Sequence, residues 1–225
     1  MKTLFVCLAN SKKYIERCIA GVVLTEKKEG GFRIERNGEA AKWVRPITNS
    51  ETGAIPETLV RNLQLMDVCE IELIKEVPNS YQSENVWFDT KSLKKINKII
   101  PTEEKLNRLV TKETILFGNT GKAVSTKKVH QVGNSLLLVK AKNPVVQATS
   151  YLNDVTEIES IKHRLQFQYM DVEYDFPITD VHFVNHFTGN PYQLKESKAI
   201  YVCVSLGMEH KGWHYKLAAG IISVP

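Results

Sequence analysis

Apolar residues fall along this chain in many short runs separated by turn residues and charges. Residues 3–8 alternate imperfectly, 18–24 are continuously apolar, 43–47 enclose Pro46, and 66–74 alternate cleanly between apolar and polar positions. Further runs occupy 136–140, 145–151, 164–169, 181–187, 200–206 and 215–222. Runs of this length, rich in Val, Ile, Phe and Tyr, predict β-strands. So many short strands predict sandwiches or small barrels, because each must bury a face against another sheet.

Helical signals gather in the middle. Thr102 follows Pro101 and precedes Glu103 and Glu104, an N-cap with acids in the first turn. Over residues 89–100, Leu93, Ile96, Ile99 and Ile100 take one helical face and Lys91, Lys94, Lys95 and Lys98 the other. The expected architecture is mainly β, two small β domains (1–100 and 101–225) joined by a helical middle segment, with the boundary near 100–115.

A length of 225 residues suits one large or two small domains, and 43% apolar with 24% charged residues describes a folded chain. No apolar run approaches the roughly 20 residues of a membrane span, so no membrane is expected as a partner. The start of the chain reads as a strand rather than a secretory signal, since Lys12, Lys13 and Arg17 follow its short apolar stretch. Cys7, Cys18, Cys69 and Cys203 are scattered within apolar runs. They read as buried free thiols in a reducing, cytoplasmic setting.

The net charge is +5, and it is unevenly spread. Seven Lys/Arg face two Glu between 91 and 112, and five lysines occur without an acid between 122 and 142. Residues 154–180 hold seven acids against Lys162 and Arg164. The acid-free stretch, with Lys127 and Lys128, suits a loop or hairpin along a phosphate backbone; the 91–98 stripe suits a solvated face or the same partner.

Six strings in order carry a resemblance. They are Tyr14-Ile-Glu-Arg-Cys-Ile-Ala-Gly-Val, Trp43-Val-Arg-Pro-Ile, Leu65-Met-Asp-Val-Cys-Glu-Ile-Glu-Leu, Tyr81-Gln-Ser-Glu-Asn-Val-Trp-Phe, Val204-Ser-Leu-Gly and His214-Tyr-Lys-Leu-Ala-Ala-Gly-Ile-Ile. From about residue 12 to 222 the chain resembles the dual OB-fold domain family of prokaryotic conflict and defence systems. The resemblance implies two OB-like barrels and a nucleic-acid partner. An OB-fold is a small, partly open five-stranded barrel whose face and loops grip single strands.

Gripping a strand requires flat side chains for bases and cations for phosphates. Trp43 and Arg45, two apart in a strand, share a face; they either stack and hold a phosphate, or sit in the core with Arg45 at its edge. Lys12, Lys13, Tyr14 and Arg17 form a basic turn suited to a binding loop or to an unpartnered surface. Tyr81, Gln82 and Asn85 either read a base or cap a barrel. Trp213 is a further stacking candidate.

Other chemistry is thinly supported. His182 and His186 are four apart, as are His210 and His214, but residues 182–187 read as a strand, which separates its pair by roughly 13 Å. Asp171, Glu173 and Asp175 share a strand face, either as a magnesium site with Asp180 or as an acidic edge that discourages aggregation. No nucleotide-binding or hydrolase motif is present. The expectation is a non-enzymatic, cofactor-free protein that binds DNA or RNA, preferably single-stranded. The alternative is an interaction module that docks a partner effector or a nucleotide signal.

Overall fold

A computed structural model describes residues 1–13, 15–152 and 159–225. The first half contains β1 (Lys2–Lys13), β2 (Glu16–Glu26), β3 (Phe32–Ile34), a ribbon of β4 (Arg36–Asn37) and β5 (Ala40–Ala41), and β6 (Trp43–Ile47). It continues with the one-turn α1 (Glu57–Val60), β7 (Asp67–Glu76) and β8 (Asn85–Lys98). Hydrogen bonds run from β1 through β2, β6, β8 and β7 back to β1, closing a five-stranded barrel, with β3 alongside β2. The β6–β8 pair is parallel, with Arg45 opposite Asn85.

The second half follows α2 (Glu103–Asn107) and β9 (Ala123–Ser125). It comprises β10 (Leu136–Leu152), β11 (Glu159–Tyr169), β12 (Val172–Pro177), α3 (Val181–Asn185), β13 (Ala199–His210) and β14 (Trp213–Val224). These strands form a sheet ordered β12-β11-β10-β13-β14-β9, and a parallel bridge from Ile178 to Ala218 brings its ends together. Taking β10–β14 as first to fifth, the sequence first-second-third-fifth-fourth repeats that of the first barrel. In both halves a short helix links the third strand to the fourth.

Three cores hold the molecule. Phe5, Cys7, Ile19, Val23, Cys69 and Ile71 belong to the interior of the first barrel; Val139, Leu165, Phe167, Tyr174, Phe176 and Val202 to that of the second sheet. The third core lies between the two halves, where Val6, Leu8, Val22 and Leu24 meet Leu136, Leu138, Tyr201 and Ile222. Alternate residues of β1 and β2 therefore serve different cores, and both strands are buried on both faces. Each fully buried Leu of that third core contributes about 1.5–3 kcal/mol. The halves approach so closely that a Cβ on Gly220 would lie 2.1 Å from the Leu8 carbonyl oxygen. Gly220 sits opposite Cys203, where the β13–β14 register shifts, and Gly21 sits opposite Cys7 at a matching shift between β1 and β2.

The helical middle segment is corrected by the structure. Residues 89–98 continue β8, where Lys94 and Lys95 pair with Glu70 (2.9 Å) and Asp67 (2.8 Å). Three register shifts between β7 and β8 break the two-residue alternation. That produced the three-residue spacing of Leu93, Ile96 and Ile99 that imitates a helix. Only α2 forms, with the Thr102 hydroxyl accepting from the Lys105 N–H (3.3 Å).

The strand expected over 181–187 is corrected too: it is α3, started by Asp180, whose carboxylate accepts from the Phe183 N–H (3.1 Å). Here the capping geometry and the packing of Phe183 and Val184 on the second core outweigh strand propensity. No helix among the described residues is long and apolar enough to cross a membrane.

Candidate functional site

The β13–β14 hairpin turns through Lys211 and Gly212, both at positive φ (51° and 83°), the backbone that a two-residue turn between twisted strands demands. Beyond the turn, Trp213 pairs with His210, and Tyr215 lies two residues further along the same face. Trp213 and Tyr215 are 47% and 41% exposed, and the His210 ring lies 6.4 Å from that of Tyr215. β9 adds to this edge, with Ser125 opposite Trp213 and Ala123 opposite Tyr215. The chain then folds back: the Thr126 N–H donates to the Gly212 carbonyl (3.0 Å) and that of Lys128 to Ser125 (2.9 Å). Lys127 and Lys128 are thereby set beside the hairpin tip. Among the described residues, Lys127, Lys128 and Lys211 form no ion pair. The result is a row of three rings bordered by three lysines.

The opposite face of the hairpin is anchored. His214 is buried, its Nδ1 3.0 Å from the Gly207 carbonyl, and its ring centroid is 4.4 Å from that of Tyr81. Tyr81 comes from the β7–β8 loop of the first barrel and donates its hydroxyl to Gly207 (3.3 Å). Burial raises the pKa of that phenol. In the same loop, Asn79 Oδ1 accepts from the N–H groups of Tyr81 and Gln82 (3.2 and 2.8 Å). Gln82 Oε1 accepts from Asn79 and from the buried Asn85 (3.1 and 3.2 Å). Tyr81 thus straps the two halves together, and Gln82 and Asn85 brace the loop that carries it.

Arg45 is 5% exposed. Its guanidinium lies 3.1 Å from Glu84 and donates to the hydroxyls of Ser135 (2.7 Å) and Ser205 (3.3 Å). Trp43 is half-buried against the third core and borders a concavity of about 700 Å³. Five glutamates line that space (Glu26, Glu35, Glu70, Glu76 and Glu84) against Lys2 and Lys42. This is an unfavourable surface for phosphates.

In the turn after β1, Arg17 is buried and bound to Glu57, and Lys13 donates to the Thr52 carbonyl. Lys12 is exposed, with its N–H bonded to Thr179 (2.8 Å); Tyr14 lies outside the described residues. Of the sequence candidates, the structure therefore gathers Lys127, Lys128 and Trp213. It disperses the rest.

His210, Lys211 and Tyr215 complete the cluster and were not singled out as site residues from sequence. The Lys-Gly pair between two strands, with Trp and Tyr alternating after it, is the signal that marks them. The other chemistry also has definite places. His182 on α3 and His186, the residue that follows its end, stack at 4.2 Å. Asp175 is held by Arg164 (2.7 Å) and Lys122 (3.4 Å). Among the described residues, no group of three or more His, Cys, Asp or Glu is placed to hold a metal ion. Cys7, Cys69 and Cys203 are buried free thiols and Cys18 is half-buried. Burial pushes the Cys69 and Cys203 thiols up to about 12.

A family model described as the dual OB-containing domain matches residues 3–221, and the chain belongs to that family. No curated protein matches the sequence. Among solved structures, the chain is similar to a replication protein A heterotrimer bound to ssDNA, at 9% identity and a TM-score of 0.37. All of this chain and 49% of that one are covered, so it spans about half that chain's length. It is also similar to the tetrameric p202 HIN2, at 9% identity and a TM-score of 0.27, covering 100% of this chain and 92% of that one.

Proposed function

We propose that this member of the dual OB-containing domain family is a non-enzymatic protein that binds single-stranded nucleic acid at the β13–β14 hairpin. The observation that carries the reading is the exposed row of His210, Trp213 and Tyr215, bordered by Lys127, Lys128 and Lys211. Bases stack on exposed rings whatever their sequence, and unpaired lysines take the phosphates. Duplex DNA keeps its base faces inside the stack and offers these rings little. In a barrel of this connectivity the loop between fourth and fifth strands is a ligand-gripping element, and here that loop is the hairpin tip. The prokaryotic defence setting belongs to the same proposal, as does a cytoplasmic location where the four thiols stay reduced.

Fluorescence anisotropy with labelled single-stranded DNA, single-stranded RNA and duplex DNA tests the reading. Single strands are expected to bind more tightly than duplex, with little sequence preference. Trp213→Ala should weaken binding roughly 5- to 150-fold, the equivalent of about 1–3 kcal/mol for a lost stack. Three phosphate contacts give a salt slope near −2, which is roughly a 20-fold loss between about 50 and 200 mM salt. Duplex binding equal to single-strand binding, or a Trp213→Ala variant with unchanged affinity, would overturn it.

A further inference from the structure

At the rim of the third core, a groove of about 680 Å³ opens between β3 and α2. Its floor is apolar, formed by Val6, Leu24 and Met66 on the outside of the first barrel. Ile100 stands on its wall 72% exposed, with Phe32 facing it half-buried. The rim is cationic. Lys27, Arg33, Lys98 and Lys105 line it without a carboxylate partner among the described residues, and its one acid, Glu104, is paired with Arg108 (2.6 Å).

One wall of the groove is β3. Residues 31–34 all border it. The groove lies over the outward side of β1, β2 and β3, where Val6, Leu24, Phe32 and Ile34 share the third core.

We infer that this groove docks an extended acidic and apolar segment of a partner protein. Each part of the site selects for one part of that ligand. The apolar floor and walls take aliphatic side chains, and the lysines and Arg33 take carboxylates. An oligonucleotide fits less well, because the floor presents aliphatic carbon where base edges need hydrogen-bonding groups. The site is separate from the β13–β14 hairpin and stands whether or not that hairpin binds nucleic acid.

The test uses the full chain and a fluorescein-labelled synthetic peptide of about twelve residues that alternates Asp or Glu with Leu or Val. Saturable binding is expected, and a Lys27→Glu/Arg33→Glu variant should weaken it at least roughly tenfold. Lys98→Ala/Lys105→Ala, also at exposed positions, should weaken it in the same direction. A peptide with lysines replacing its acids should not bind, and Trp213→Ala should bind the acidic peptide normally. Absence of saturable binding, equal binding of the lysine peptide, or indifference to both double variants would overturn the inference. So would displacement of the peptide by a single-stranded oligonucleotide from the Trp213→Ala/Tyr215→Ala protein, which would make the groove a nucleic-acid site.

Discussion

Removing the charge from one member of the Arg45–Glu84 pair tests how the two halves are locked together. The two side chains are 6% and 2% exposed, 3.1 Å apart, and Arg45 also donates to Ser135 and Ser205 of the second sheet. Glu84→Gln leaves a buried guanidinium without a counter-charge; Arg45→Met leaves a buried carboxylate supported only by Ser135. Each is expected to cost about 3–5 kcal/mol, since an uncompensated buried charge keeps its desolvation penalty and loses its partner. Replacing both residues with apolar ones should cost far less than the sum, because neither charge is then desolvated. Arg45 Nε has no partner even in the intact pair, which favours the apolar replacement further. Urea titration of the four proteins, followed by tryptophan fluorescence with the slope checked for constancy, gives the cycle. A coupling energy below about 0.5 kcal/mol would show that the two charges act independently and refute the reasoning.

Gly220→Ala should destabilise by at least about 3 kcal/mol, read as a lower melting temperature, because its methyl group meets the Leu8 backbone rather than a movable side chain. Asp180 is 1% exposed, and burial raises its pKa from 3.8 to about 6 against the opposing bonds from Phe183 and Ile221. Its raised folded value makes its contribution fullest below about pH 4 and lost as pH rises through 6, a swing of about 3 kcal/mol. Stability curves of the wild type and Asp180→Asn from pH 4 to 7 should diverge by about that total, and parallel curves would contradict it. Tyr81→Ala should weaken oligonucleotide binding although Tyr81 lies behind the binding face, since His214 and Gly207 lose their anchor; unchanged affinity would show that the hairpin holds itself.

Strand content was legible because most runs bury one face or two. The imperfect alternation of residues 3–8 and the unbroken apolar run at 18–24 are the trace of the third core, since β1 and β2 serve two cores at once. Nothing local says that the second surface is the other half of the same chain. The repeat of strand order was equally hidden, because topology is carried by pairings such as Arg45 with Asn85 and Ile178 with Ala218, far apart in sequence. Among candidate site residues, type and spacing nominated Arg45 and Arg17 as readily as Lys127. Burial separates them: the first two are held by Glu84 and Glu57, while the third is exposed and, among the described residues, forms no ion pair.

The same packing restricts where a ligand can lie. In a barrel of this connectivity the outer face of the second and third strands is the usual ligand platform. In the first barrel that face of β2 carries Ala20, Val22 and Leu24, all consumed in the third core. In the second sheet the corresponding face of β11 and β12 presents Lys162, Arg164, Gln166, Gln168, Glu173 and Asp175, with Arg164 bound to Asp175 and no aromatic ring among them. The first platform is buried, and the second offers no ring on which a base can stack. The end of the β13–β14 hairpin is exposed and carries both rings and lysines, and the groove beside β3 is where the third core reaches the surface. Both hang on the shared core, β3 beside β2 and the hairpin through Tyr81 and His214. A variant that separates the halves should therefore weaken binding at both places, whereas a variant of Trp213 or Arg33 should weaken only its own.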